Sequence, residues 1–220
     1  MASDDRLQAV LFDMDGTLVD SEKVWSVGLT ELAAHYGGEL SAQARHAMVG
    51  SNMTDSMRLL HDDLGLPASI STDDSVVWLE ARVKELFHGG MQWRPGAQQL
   101  LAALRAEGVP LALVTATHRH LVDVALLTIG AGNFDAVVAG DEVDRTKPHP
   151  MPYLTAARLL GTTAPQCVAV EDSPNGLLSA RAAGCAVLGV PCEVDLDPEG
   201  VTLVGSLLDV DVAYLRKLVA

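Results

Sequence analysis

The sequence predicts an α/β protein: a Rossmann-like core built on a parallel sheet, with an inserted α-helical cap. A short apolar run at residues 9–12 reads as a buried strand. From residue 93 onward, helical patterns alternate with short apolar runs, which is typical of a parallel sheet covered on both faces. Residues 21–92 show helical patterns without a convincing strand. We therefore expect a core formed by residues 1–20 and 93–220, and a cap formed by residues 21–92.

Composition limits the class of protein. The 220 residues are 49% hydrophobic, which suffices for one core and a smaller insert. A formal charge of −14 argues against nucleic acid or an anionic membrane as partner, because both favour basic patches. The first six residues lack the pattern of a signal peptide, and no apolar run is long enough to span a bilayer. Three cysteines without metal-site spacing read as reduced thiols, so we expect a cytoplasmic protein.

The first predicted strand ends in two carboxylates. Asp13 and Asp15 follow Phe12 directly, on a turn that contains Gly16 and Thr17. Like charges beside a buried strand repel one another and lose hydration, so they need compensation. With oxygen ligands and no nearby cluster of Cys or His, Mg²⁺ is the expected ion. A lone Asp-x-Asp-Gly also occurs as an ordinary turn, so the rest of the chain has to decide between the two interpretations.

Apolar residues at helical spacing form three stripes in the predicted cap. The stripes end at Gly37, at Gly65 and before Gly89. Ser41 is a plausible N-cap, as is either Ser71 or Thr72. In the core, helical patterns precede four short apolar runs, and a short helix closes the chain. The predicted strands cover 110–114, 136–138, 168–170 and 186–190; the last helix covers 210–220, after a loop at 194–200.

Polar side chains follow the ends of three later strands. Thr115 and Ala116 offer a hydroxyl and backbone N–H groups before a helix start, which suits a phosphate oxygen. Lys147 lies in a proline-stiffened loop, where its point charge can neutralise a phosphoryl group. Glu171 and Asp172 follow another buried strand. Because parallel strands bring their carboxyl ends to one edge, these residues predict a Mg²⁺ site beside a phosphate cradle.

The four segments together resemble the ordered motifs of the haloacid dehalogenase superfamily. They are most similar to its helical-cap branch of phosphatases and phosphomutases, over nearly the whole chain, and among these to hexose-phosphate phosphatases. The resemblance implies that the first strand lies centrally in the sheet. It also implies a nucleophilic Asp13, a general acid and base at Asp15, and phosphate binding by Thr115, Ala116 and Lys147. The implied metal ligands are Asp13, Asp15 and Asp172, together with Glu171 as ligand or close neighbour.

These features predict a Mg²⁺-dependent phosphomonoesterase that acts on a small phosphorylated metabolite, such as a sugar or polyol phosphate, through an aspartyl-phosphate. The main alternative is a phosphosugar mutase of the β-phosphoglucomutase type. That type uses cationic or imidazole side chains in the cap where this chain has Trp25, Val49 and Met53, which disfavours it. A phospho-accepting regulatory domain is a further alternative, disfavoured by the inserted helices. Trp25, Gly50 and Asn52 are candidate substrate-binding residues of the cap.

Overall fold

A six-stranded parallel sheet lies at the centre of the structure, a computed structural model that describes residues 7–49, 51–197 and 199–219. The strand order is β3-β2-β1-β4-β5-β6. This order confirms the prediction of an α/β fold in which the first strand is central. The strands are β1 Ala9–Phe12, β2 Leu111–Val114, β3 Ala136–Val138, β4 Cys167–Glu171, β5 Ala186–Gly189 and β6 Thr202–Leu203.

The register of the sheet aligns the carboxyl ends of the central strands. Phe12 at the end of β1 lies opposite Leu113 of β2 and Val170 of β4. The backbone N–H of Asp13 continues this ladder by donating to the carbonyl of Val170 at 3.0 Å. All residues of β1, β2 and β4 are buried, as expected for a parallel sheet covered on both faces. The residues that follow these strands therefore meet at one edge.

The described residues contain nine α-helices, and the first four lie between β1 and the fifth helix. In this interval the described residues include no strand, although the division into a core and a separate cap stays a prediction. The helices are α1 Glu22–His35, α2 Ala42–Met48, α3 Met53–Leu64, α4 Thr72–Phe87, α5 Ala97–Ala106, α6 Arg119–Ile129, α7 Met151–Leu159, α8 Pro174–Ala183 and α9 Val212–Leu218.

Local signals explain several helix ends. The Oγ of Ser41 accepts from the third residue of α2, and the Oγ of Ser71 accepts from two N–H groups of α4, so Ser71 rather than Thr72 is the N-cap. Gly65 ends α3 with a φ of 61° and Gly184 ends α8 with a φ of 90°. The interval predicted to hold three helical stripes contains four helices, because α2 has only seven residues and shows no long apolar period.

One short strand lies outside the pattern that the sequence predicts. The two-residue strand β6 was not predicted, because two residues are too few to show a period.

Backbone pairing joins the two segments that connect α1–α4 to the rest of the chain. The N–H of Asp20 donates to the carbonyl of Gln92 at 2.8 Å, and the N–H of Arg94 donates to the carbonyl of Leu18 at 2.9 Å. The insert is thus rooted beside the end of β1.

Candidate active site

Lys147 and Asp13 form a buried ion pair at the edge of the sheet. Asp13 follows β1, and its Oδ1 lies 2.6 Å from Nζ of Lys147. The same Nζ lies 2.6 Å from Oε1 of Glu171 and 2.8 Å from the carbonyl oxygen of Val114. The three charged side chains are at most 9% exposed. Lys147 therefore joins the ends of β1, β2 and β4 through its three donors.

Three carboxylates gather around this lysine. Oxygen atoms of Asp13, Glu171 and Asp172 all lie within 4.8 Å of one another. Burial raises the pKa of Asp13 to about 8, against the opposing charge of Lys147 and with the added repulsion of Glu171 and Asp15. Burial, followed by the charge of Asp13, also holds the pKa of Asp172 well above its usual range. When its three carboxyl groups are ionised, the cluster carries more negative charge than Lys147 neutralises, and a divalent cation would relieve this excess.

The surroundings of the carboxylates fit Mg²⁺. The group offers oxygen ligands only, as this hard ion prefers. Two glycines leave space for these carboxylates because they have no side chain. A Cβ at Gly16 would lie 1.9 Å from Oδ2 of Asp172, and a Cβ at Gly176 would lie 1.9 Å from the carboxyl group of Glu171. Asp13, Asp172 and Glu171 are therefore the side chains that would hold the ion.

The carboxylate of Asp15 lies outside this three-acid cluster. Its Oδ1 accepts from Oγ of Ser21 at 2.6 Å and from Nε1 of Trp25 at 3.1 Å. Its Oδ2 accepts from Oγ1 of Thr117 at 2.8 Å and from Oγ1 of Thr115 at 3.2 Å. The two side-chain oxygens of Asp15 are thus directed to four hydrogen-bond donors, and its expected part in metal binding stays a prediction. The proton-transfer role of Asp15 stays a prediction.

The loop after β2 is held tightly. The Oγ1 of Thr115 accepts from the N–H of Thr117 at 3.0 Å, and the carbonyl of Thr117 accepts from the N–H of Gly140 at 2.9 Å. A Cβ at Gly140 would lie 2.0 Å from the carbonyl oxygen of Ala116, so only glycine fits this approach. Thr115 is buried, and Ala116 faces the same cavity as Asp13. The loop can therefore present donors to an anion in that cavity.

This cavity brings most of the predicted site residues together with the helical insert. Trp25 and Asn52, both predicted as substrate-binding residues, line it, whereas Gly50 lies outside the described residues. Its apolar wall comes from Leu29, Met48, Met53 and Leu79, and its polar lining includes Asp13, Asp15, Glu22, Arg45, Ser51, Ser56, Thr115, Thr117, His118, Lys147 and Asp172.

Sequence reasoning missed several residues around the site. Tyr153 of α7 is fully buried and donates from its hydroxyl to Oε1 of Glu171 at 2.6 Å. Burial raises the pKa of Tyr153 well above its usual value, so the hydroxyl stays protonated as a donor. A lone tyrosine in an apolar helix is a weak signal for such a role. Nothing in its local pattern pointed to Arg45, which reaches the cavity only through the tertiary fold.

Comparisons with known proteins agree with this architecture. Residues 7–184 match the family model described as haloacid dehalogenase-like hydrolase. Hexitol phosphatase A of Escherichia coli K12 is 34% identical over 202 residues, covering 86% of each chain. (DL)-glycerol-3-phosphatase 1 of Arabidopsis thaliana is 33% identical over 193 residues, covering 83% of this chain; the match spans only 63% of that longer relative.

A solved structure gives the same result for the fold. CbbY of Rhodobacter sphaeroides, crystallised as a mutant in complex with xylulose-(1,5)bisphosphate, superposes with a TM-score of 0.84 at 27% identity. The match covers 95% of this chain and 99% of that one. The family match extends over most of the chain and includes every strand that carries a site residue. The chain therefore belongs to the haloacid dehalogenase-like hydrolase family and is an enzyme of this hydrolase class.

Proposed function

We propose that this protein is a Mg²⁺-dependent phosphomonoesterase for a small sugar or polyol phosphate, with Asp13 as the nucleophile. The observation that carries the proposal is the buried cluster of Asp13, Glu171 and Asp172, in which Lys147 pairs with Asp13 and Glu171. The relatives named as hexitol and glycerol-3-phosphate phosphatases support the reaction class and the kind of substrate. Mg²⁺ would supply positive charge to the phosphoryl oxygens and to the carboxylates that hold it.

In the first step, a carboxylate oxygen of Asp13 attacks phosphorus in line with the ester bond. The bond from phosphorus to the alcohol oxygen breaks, and Asp15 gives a proton to the leaving alcohol. Lys147 orients Asp13 through Oδ1 and contributes charge next to the reacting group. The first product is the alcohol, and the phosphoryl group remains on Asp13 as an acyl phosphate.

In the second step, Asp15 accepts a proton from water, which attacks phosphorus and releases inorganic phosphate. The two threonines after β2 and the two donors from residues 21 and 25 fix Asp15 next to the cavity. Ser21 and Trp25 belong to the start of the helical insert, so the orientation of Asp15 depends on the position of α1. Release of phosphate regenerates both carboxyl groups for the next turnover.

The cap side of the cavity favours a neutral, hydroxyl-rich tail on the substrate. Arg45 lies 3.5 Å from Glu22 and 3.4 Å from Glu193, so two carboxylates share its charge. Trp25 and Met53 add no charge to the cavity lining. A second phosphate or a carboxylate at this end would meet a compensated cation and a nearby acid, at an electrostatic cost. This arrangement supports a phosphatase over a mutase, which has to hold a bisphosphate.

The test is phosphate release from p-nitrophenyl phosphate and a panel of polyol, sugar and carboxylate-bearing monophosphates, with Mg²⁺ or with EDTA. Replacing Asp13 by Asn should lower kcat by roughly 10⁴-fold or more, because the nucleophile is lost. Mass spectrometry of acid-quenched wild-type protein should find a phosphate adduct on Asp13.

The matched control is Asp123→Asn, which alters an exposed carboxylate of α6 and should leave the rate unchanged. Near-normal turnover in Asp13→Asn, or full activity in EDTA, would contradict the proposal. A requirement for added sugar bisphosphate, with no net phosphate release, would instead indicate a mutase.

A further inference from the structure

A carboxylate from the helical insert contacts the loop region of the phosphate site through His118. Glu80 of α4 is 8% exposed, and its Oε1 lies 2.7 Å from Nδ1 of His118, the residue before α6. Its Oε2 lies 3.5 Å from Nε2 of His120. Oε1 of Glu80 is buried and has no well-aligned hydrogen-bond partner among the described residues. Nδ1 of His118, 2.7 Å away, is the group that can satisfy this oxygen, and it does so only when Nδ1 carries a proton.

This contact determines what the second ring nitrogen of His118 can do. His118 lines the cavity, and its Nε2 has no hydrogen-bond partner among the described residues. With Nδ1–H committed to Glu80, neutral His118 has a lone pair at Nε2. Only the imidazolium has a second N–H to donate. His118 can therefore donate to an anion in the cavity only in its charged form.

The cavity needs such a cation. Its lining contains four acids and two permanent cations, Lys147 and Arg45, and both cations are already paired with carboxylates. The whole chain has a formal charge of −14. A phosphoryl dianion entering this field gains from each added positive charge near its oxygens.

We propose that His118, as an imidazolium held by Glu80, contacts the phosphoryl group of the substrate, so that substrate capture requires a proton on this ring. The proposal rests on the proposed function, because the bound group is the substrate's phosphate. Glu80 acts as a positioning residue, since it reaches the substrate only through His118. Because Glu80 belongs to α4, capture of the phosphoryl group also depends on the position of α4 relative to the cavity.

The charged neighbours of His118 set the direction of its titration. Glu80 faces it from α4, Asp141 from the turn after β3, and His120 from α6 itself. The hydrogen bond to Glu80 and the charges of Glu80 and Asp141 raise the pKa of His118 against the opposing effect of burial. Phosphate affinity should therefore be present at low pH and decline as pH rises through this raised pKa.

The experiment measures KM for p-nitrophenyl phosphate and the inhibition constant of inorganic phosphate from about pH 5.5 to about pH 9. His118→Gln should raise both constants roughly tenfold at the acidic end, remove this pH dependence, and change kcat less than KM. Glu80→Gln should shift the decline in affinity to lower pH. His88→Gln, an exposed histidine just beyond the end of α4, is the matched control and should behave as wild type.

NMR titration of the His118 ring provides a readout that needs no turnover. Inorganic phosphate should raise the pKa of His118 in the wild type and, by a smaller amount, in Glu80→Gln. If the wild type hydrolyses no monophosphate while phosphate still raises this pKa, the proposed function fails and the phosphate contact stands. The contact is overturned if His118→Gln keeps wild-type phosphate affinity across the range, or if phosphate leaves the His118 titration unchanged.

Discussion

Gly16 shows how one missing side chain shapes the site. Its φ is 76°, and a Cβ there would overlap the carboxylate of Asp172. Gly37 has a similar φ of 78° but open space around its Cα. The two positions therefore separate the backbone cost of a side chain from the cost of displacing Asp172.

Replacing Gly16 by Ala should lower kcat/KM by at least about 100-fold, because Asp172 has to leave its place next to Asp13. Gly37→Ala pays the same backbone strain, about 1 to 2 kcal/mol, and should keep its activity. Steady-state kinetics and urea unfolding of both variants measure the two effects. Equal activity of the two variants would show that the place of Asp172 does not matter.

At the scale of elements, a buried acid joins α1 to α2. Burial, and then repulsion from Asp15 and Glu193, raises the pKa of Glu22 to about 7, although Arg45 opposes the shift. Between the ordinary value of 4.5 and about 7, the folded protein binds more protons at Glu22 than the unfolded chain does. Stability should therefore fall as pH rises through this window.

Replacing Glu22 by Gln should raise the free energy of unfolding of the metal-free protein above that of wild type at about pH 8, by an amount on the order of 3 kcal/mol at most. At about pH 5 the gain should be smaller. Urea unfolding at both pH values measures the difference. Glu39→Gln, at an exposed position, is the control. A difference between wild type and Glu22→Gln that did not grow with pH would contradict the raised pKa.

The element scale also shows how far the sequence alone could predict the site. Asp13, Thr115, Lys147 and Asp172 follow strands in the sequence, and the parallel register brings them together as predicted. The Asp15 carboxylate lies outside the three-acid cluster, and the threonines after β2 and two residues of the insert donate hydrogen bonds to it. These bonds join residues up to 102 positions apart, and no local pattern encodes them.

At the scale of the whole molecule, polar contacts join the insert to the sheet edge. Trp25 binds Asp15, Arg45 reaches Glu193, and Glu80 binds His118. We expect the two connecting segments, residues 19–21 and 93–95, to act as hinges for opening this contact; they meet where Val19 pairs with Trp93. Contacts between charged and polar groups can break and reform at modest cost when water enters.

We expect the insert to occupy a wider range of positions without ligand than with Mg²⁺ and orthovanadate, a phosphate mimic. Spin labels at Val77 of α4 and Leu127 of α6, which are 67% and 76% exposed, report the distance between insert and core. Cys185 and Cys192 are only partly buried and should be replaced by alanine first. The distance distribution should narrow when both ligands are added. Identical distributions with and without ligands would argue against hinge motion at these segments.

In the part of the chain that the structure describes, no helix combines the length and apolar character that crossing a bilayer requires.

The sequence by itself determined the fold class and the strand ends that carry Asp13, Thr115, Lys147 and Glu171. These follow from local signals: short apolar runs, helix caps and the rule that parallel strands share their carboxyl edge. The central place of β1 was implied by the resemblance to the haloacid dehalogenase superfamily. Tertiary structure alone decided the hydrogen-bond partners of Asp15, the hydrogen bond that the Tyr153 hydroxyl donates to Glu171, and the contact of Glu80 with His118. The physical reason is that these side chains come from elements far apart in the chain. Only the packing of insert on core sets the distances of a few ångströms on which their chemistry depends.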